Sequence, residues 1–320
     1  MQLLLIIAVF VVSAVMTVLA GSGLAEDATL ERYSPDLVKK AQSGDANAQF
    51  RLGHCYSCGK HGVAIDYKEA AKWFAKSAEQ GNAAAQYGLG YCYANGEGLA
   101  QDYKEAIKWY TKSAEQGNAD AQYNLGWCYD NAKGVTQDYK EAVKWWAKAA
   151  DQGHSLAQNS RGSGYYRGEG VTQDYKEAVK WYTKAAKQRN SVAQYNLGFC
   201  YYNGEGVAQD YEEAVEWFTK SAEQGFDAAQ LMLGNCYYNG EGVTQDYEEA
   251  VEWFAKSAEQ GLREAQHRLG NCYNKGKGVT KDYRQAVKWL TKAAEQGDMT
   301  AKGELEVIKK TGSNPGGPMN

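Results

Sequence analysis

The dipeptide Asp-Tyr recurs at Asp66, Asp102, Asp138, Asp174, Asp210, Asp246 and Asp282, with a constant spacing of 36 residues. Near-copies of Leu-Gly-x-Cys-Tyr run in step with it at 52–56, 89–93, 125–129, 197–201, 233–237 and 269–273, with an altered Arg-Gly-Ser-Gly-Tyr at 161–165. Self-similarity at a period of about 20 to 50 residues specifies a solenoid, in which each unit buries its apolar face against its neighbours. Length alone would allow two ordinary domains. The period replaces them with one array over about residues 34–310, seven 36-residue repeats closed by a half-repeat at each end.

Each repeat reads as two helices, A and B. In the unit from Ala119 to Gly153, Ala121, Leu125, Cys128 and Tyr129 fall at i, i+4, i+7 and i+8, one face of a helix. Asp138 then stands as the N-cap of helix B, and Glu141, three residues on, completes a capping box. Six repeats keep Asp-x-x-Glu and the seventh has Asp282 with Gln285. Capping explains this column of acids better than a calcium or catalytic site, since each Asp has its own helix start to satisfy. Tyr139, Ala142, Trp145 or Trp146, and Ala149 form the apolar stripe of helix B, and Gly153 sits where a left-handed residue closes it. Pro35, Pro315 and Pro318 all lie outside the repeats. Ser34-Pro35 opens a single leading helix to about Gln42, Thr300–Lys310 is a degraded helix A acting as a polar cap, and 311–320 is expected to be disordered.

The 36-residue period, the A-x-x-x-L-G-x-x-Y helix, the Y-x-x-G-x-G-V loop and the D-Y-x-E-A-x-x-W-Y/F helix resemble the Sel1-like repeat family, relatives of the tetratricopeptide repeats, over about residues 44–306. The resemblance implies an all-α, right-handed superhelix of antiparallel helix pairs. It also implies an adaptor that assembles other proteins and needs no cofactor.

Within Leu-Gly-x-Cys-Tyr the constant residues point into the stack, where cysteine behaves as a small hydrophobe. The variable middle residue is His54, Tyr91, Trp127, Ser163, Phe199, Asn235 or Asn271. On a helical wheel it falls opposite the core stripe, together with the residues at +2 and +9 from the alanine of Ala-Gln, if the variable residue is counted as +6. By resemblance this stripe lines a concave groove. Its aromatic members Tyr87, Tyr91, Tyr123, Trp127, Tyr195, Phe199, Tyr202 and Tyr238 are the candidate anchors for a protein or peptide. The competing reading is that they pack against one another between adjacent A helices.

Equivalent cysteines in successive repeats stand at least a helix-packing distance apart, about 8 to 10 Å, beyond disulfide reach. This differs from the cysteine-rich Helicobacter branch of the family, which carries two cysteines per repeat. The exception is His-Cys-Tyr-Ser-Cys-Gly-Lys-His, where His54, Cys55, Cys58 and His61 crowd the end of the first helix A. Zinc binding or thiol redox chemistry is one reading of that cluster, and a core cysteine with an extra one in an irregular loop is the other. An enzyme reading rests on Ser57-Cys58-Gly59-Lys60 and Lys310-Thr311-Gly312, fragments that match penicillin-binding motifs. They lie almost the whole array apart and Ser-Asp-Asn is missing, so no catalytic residue is assigned.

Thirty-five basic against 39 acidic residues exclude a nucleic-acid partner, which needs a basic surface. The charges are nonetheless uneven, with 12 acids and two bases from 210 to 259 and 11 bases and six acids from 263 to 310. Steering of a basic partner, or a salt-sensitive self-association, follows from that asymmetry. Leu3–Ala20 is uncharged and mostly aliphatic, ending near Val18-Leu19-Ala20 and Gly23-Leu24-Ala25. Residues 1–25 read as a signal peptide for export to the periplasm or the medium, with an uncleaved anchor over 3–20 as the alternative. Repeat four departs from the pattern at Arg161, Gly164 and Arg189, which predicts a looser joint there.

Overall fold

The computed structural model describes residues 33–59 and 62–310; the leader, Lys60, His61 and the tail from Thr311 lie outside the described residues. Within them the chain forms sixteen helices and no strand. A lone helix α1 (Pro35–Gln42) precedes three A/B pairs: α2 (Ala46–Cys58) with α3 (Tyr67–Glu79), α4 (Ala83–Asn95) with α5 (Tyr103–Glu115), and α6 (Ala119–Asp130) with α7 (Tyr139–Asp151). Four more pairs follow: α8 (Ser155–Arg167) with α9 (Tyr175–Lys187), α10 (Ser191–Asn203) with α11 (Tyr211–Ala222), α12 (Asp227–Asn239) with α13 (Tyr247–Glu259), and α14 (Arg263–Lys275) with α15 (Tyr283–Glu295). The last helix is α16 (Met299–Lys310). The architecture is an all-α repeat solenoid. It resolves into two compact units, one ending at Gln152 and one beginning at Gly153. The sequence period crosses that division unbroken and gives no sign of it. Among the described residues no helix is long and apolar enough to cross a membrane.

Every helix B starts on its predicted cap. Asp66 Oδ1 accepts from the amides of Lys68 and Glu69, each at 3.0 Å, and the same fork recurs at Asp102, Asp138, Asp174, Asp246 and Asp282. The reciprocal half of the capping box is replaced. The amide of Asp102 donates to the carbonyl of Tyr93 at 2.9 Å, and that of Asp138 to Tyr129 at 3.1 Å, so helix A already occupies the donor that Glu105 or Glu141 would reach. Those glutamates turn outward and pair with a lysine three residues on, as Glu141 does with Lys144 at 2.9 Å.

The glycine of Leu-Gly-x-Cys-Tyr is the contact point between helices A and B. A Cβ on Gly90 would stand 2.7 Å from the Tyr110 ring and 3.1 Å from the Ala106 carbonyl, so the pair closes only over a bare Cα. Between repeats the glycine-rich loop does the same. A Cβ on Gly98 would lie 2.1 Å from the carbonyl oxygen of Tyr67, at the start of the preceding helix B.

A buried amide ladder also joins the repeats. Gln122 is 4 % exposed; its Nε2 donates to the Ala114 carbonyl of the preceding helix B at 3.0 Å, and its Oε1 accepts from Gln152 at 2.7 Å. Gln86 repeats this with Ala78 and Gln116, and Gln230 with Ala222 and Gln260. A buried primary amide is tolerated because both ends are satisfied.

Repeat four is held by substitutes. Arg161 stacks its guanidinium 4.0 Å over the Trp181 ring, so the charge that stands for leucine is placed on an aromatic face. Arg189, where the other repeats have glycine, keeps the left-handed backbone at φ 63°, and Ala132 does so at φ 53° in the loop after α6.

Candidate functional site

The candidate residues lie on three columns of the A helices. Ala, Gln, Leu, Gly and Cys of the motif are buried, whereas all eight candidates are half-buried. Tyr87, Tyr91, Tyr123 and Trp127 belong to α4 and α6 in the first unit, and Tyr195, Phe199, Tyr202 and Tyr238 to α10 and α12 in the second. The stripe opposite the core is therefore shared between packing and surface.

The +2 column closes the helix pair. Tyr87 lies 5.9 Å from Tyr110, and Tyr195 lies 5.9 Å from Phe218 and 5.4 Å from Phe226, ring centre to ring centre. Burial drives both phenols well above the ordinary tyrosine range. Asn124 Nδ2 reaches the Tyr87 hydroxyl from α6 at 3.5 Å, and the Tyr123 carbonyl accepts from Trp146 Nε1 at 3.2 Å.

The +9 column ties one repeat to the next. Tyr166 donates to Glu205 at 2.5 Å and Tyr202 to Glu241 at 2.7 Å, each glutamate lying in the Gly-Glu-Gly loop of the following repeat. Tyr202 packs edge-on against Tyr211 at 5.1 Å and Tyr238 against Tyr247 at 4.9 Å. In the seventh repeat Lys277 replaces the glutamate, and its ammonium stands 5.0 Å over the Tyr238 ring.

The +6 column is what remains. Tyr91 and Phe199 touch the +2 ring of their own helix, at 6.4 and 6.2 Å, and Trp127 lies 6.4 Å from Tyr103. All three also pack, partly buried, against the core: Tyr91 and Trp127 against the cluster of Ala106, Tyr110 and Leu125, and Phe199 against that of Val215, Phe218 and Leu233. Burial, reinforced by the charge of Glu97, pushes the Tyr91 phenol up to about 12. Two members of this column carry buried polar atoms with no hydrogen-bond partner among the described residues, Trp127 Nε1 and Asn271 Oδ1. Nothing in the sequence signals those two atoms.

Outside the columns, a shallow open cleft of about 570 Å³ is bordered by Lys187, Arg189, Trp217 and Lys220 on the B-helix side of the second unit. The outer face of α11 and α13 carries Glu212, Glu216, Glu248 and Glu252, where the other B helices carry lysine or arginine. Glu213 and Glu249, deprived of a lysine at i+3, accept instead from Trp217 and Trp253 Nε1 at 2.8 and 3.0 Å.

All seven cysteines are free. Among the described residues no group of three or more His, Cys, Asp or Glu is placed to hold a metal ion, and His61 of the predicted cluster lies outside them. Cys55 is buried with Leu37, Ala41 and Leu52, and the half-buried Cys58 ends the same helix three residues on. Lys60, Thr311 and Gly312 of the penicillin-binding fragments also lie outside the described residues.

A family model described as Sel1 repeat matches seven consecutive segments, 46–82, 83–118, 119–154, 155–190, 191–226, 227–262 and 263–298. Among solved structures, the chain is 40% identical to c5321, described as a protective antigen present in uropathogenic Escherichia coli strains displaying an SLR fold. That match covers 86% of this chain and 67% of the other, with a TM-score of 0.66. A Sel1 repeat protein from Oxalobacter formigenes is 36% identical over 85% of this chain and 78% of its own, with a TM-score of 0.71. A search of curated proteins finds no match. Sel1-repeat proteins generally act as protein-interaction scaffolds.

Proposed function

Because the chain belongs to the Sel1 repeat family, we propose that it is an exported, non-catalytic scaffold that binds protein or peptide along its A-helix faces, anchored by Tyr91, Trp127 and Phe199. The observation that carries the reading is the +6 column. Its residue changes in nearly every repeat while the leucine and glycine before it and the cysteine and tyrosine after it stay nearly constant, and in Tyr91, Trp127 and Phe199 it presents an aromatic ring that is only half-buried. Rings of that kind anchor protein interfaces because they bury large area at small entropic cost. The orphaned indole N–H of Trp127 offers a donor to a partner carbonyl once the ring shifts.

Export is supported by the apolar Leu3–Ala20 leader, and by the description of the Escherichia coli relative as a protective antigen. The glutamates of α11 and α13, set against the basic stretch after Arg263, support steering of a basic partner or a salt-sensitive self-association. The test is capture of partners from envelope and secreted extracts by the wild-type chain and by the triple variant Tyr91→Ala, Trp127→Ala, Phe199→Ala. A partner held by the wild type and lost by a folded variant supports the reading. Equal capture by both removes the anchors from it.

A further inference from the structure

Six of the seven thiols share one helical position and are 0 to 4 % exposed. Burial pushes those of Cys92, Cys128, Cys200 and Cys236 up to about 12 and that of Cys272 to about 11, which leaves them inert as nucleophiles. Cys58 breaks the pattern. It is half-buried, it ends α2, and it stands where the other A helices carry Asn95, Asn131, Arg167, Asn203, Asn239 and Lys275.

One turn earlier on the same face is His54, the only imidazole of the +6 column. Its Nε2 lies 3.4 Å and its Nδ1 3.9 Å from Cys58 Sγ, and Ser57 Oγ lies 3.6 Å from the same sulfur. Ser57 also donates to the His54 carbonyl at 3.0 Å. An i, i+4 pair on the last turn of a helix stays together without any tertiary contact. A thiol at hydrogen-bonding distance from an imidazole has a base to receive its proton.

We propose that the His54–Cys58 pair is a modification site that takes a low-molecular-weight disulfide and ends as a mixed disulfide on Cys58. The thiol proton passes to the imidazole, and the thiolate attacks one sulfur of the incoming disulfide. The S–S bond of that molecule breaks as a new one forms to Cys58 Sγ. The displaced half leaves as a thiolate and takes the proton back from His54. The incoming disulfide is the oxidant, so no other electron acceptor is required. Cys55, the nearest second thiol in sequence, is 4 % exposed in the cluster of Leu37, Ala41 and Leu52 and is not free to resolve the adduct.

The test uses the full reduced chain, freed of reductant and exposed to oxidised glutathione, with a chromogenic aromatic disulfide counting reactive thiols in parallel. One thiol reacts quickly in the folded protein and the other six only after denaturation. Peptide mapping places a single glutathionyl group on Cys58, and Cys58→Ser abolishes the fast phase. His54→Gln, with unchanged circular dichroism, reacts about tenfold more slowly. No adduct on the folded chain, an adduct at Cys55, an internal Cys55–Cys58 disulfide, or a wild-type rate in His54→Gln would overturn the proposal.

Discussion

The Tyr202 hydroxyl donates to Glu241 Oε2 at 2.7 Å, across from the last turn of α10 to the loop that follows α12. Tyr166 makes the same bond to Glu205 one repeat earlier. A residue that the sequence offers as a binding anchor is thus spent on holding consecutive repeats together. Tyr202→Phe leaves the Glu241 carboxylate without its phenol partner and is expected to destabilise the second unit by about 1 to 2 kcal/mol. Urea unfolding followed by circular dichroism measures this, and a variant as stable as wild type would show that the bond contributes nothing.

Substitution of a ladder amide removes two hydrogen bonds at once. After Gln122→Leu the Ala114 carbonyl keeps the Gly117 amide, and the exposed Gln152 amide keeps the Lys148 carbonyl. A loss of about 1 to 2 kcal/mol is expected, with faster amide exchange at the end of α5 and the start of α6.

Two positions hold a left-handed backbone without glycine, Arg189 and Ala132. Replacing either by glycine relieves about 1 kcal/mol of backbone strain. Arg189→Gly and Ala132→Gly are therefore expected to raise the thermal midpoint, in contrast to the rule that surface arginine is neutral. An unchanged or lower midpoint would mean that the side chains, or the stiffer unfolded chain, outweigh the strain.

The pH dependence follows from the buried phenols and thiols. Tyr91 and the thiols of Cys92, Cys128, Cys200 and Cys236 have folded values of about 12, above their unfolded ones. Raised values stabilise the protonated, folded chain fully below the unfolded range, and that contribution is lost as pH rises toward 12. Chemical stability is expected to fall steadily from about pH 9 upward, alongside a late phenolate absorbance change near 295 nm on unfolding. A stability profile flat to pH 11 would contradict the burial of these groups.

Much of this was legible in the sequence. The spacing of 36 specifies the repeat, Asp138 and its equivalents specify the B-helix starts, and the invariant glycine falls on the buried face, where the structure places Gly90 beneath Tyr110. What was not legible involves partners far apart in the chain. By local spacing Glu141 reads as a capping-box acceptor, since spacing cannot show that the Tyr129 carbonyl takes the Asp138 amide first. The burial of Gln122 carries no local signal, because its satisfaction depends on Ala114 and Gln152. The wheel placed Tyr87, Tyr202 and Tyr238 opposite the core, but a long ring can bend back to a neighbouring helix or loop, and these three do.

The most direct test of the scaffold account is amide hydrogen exchange on the chain alone and in complex with a captured partner. The account predicts new protection on α4, α6 and α10, around Tyr91, Trp127 and Phe199, with the B helices unchanged. Protection confined to the glutamate-bearing faces of α11 and α13 would contradict it and place the binding surface on the opposite helices.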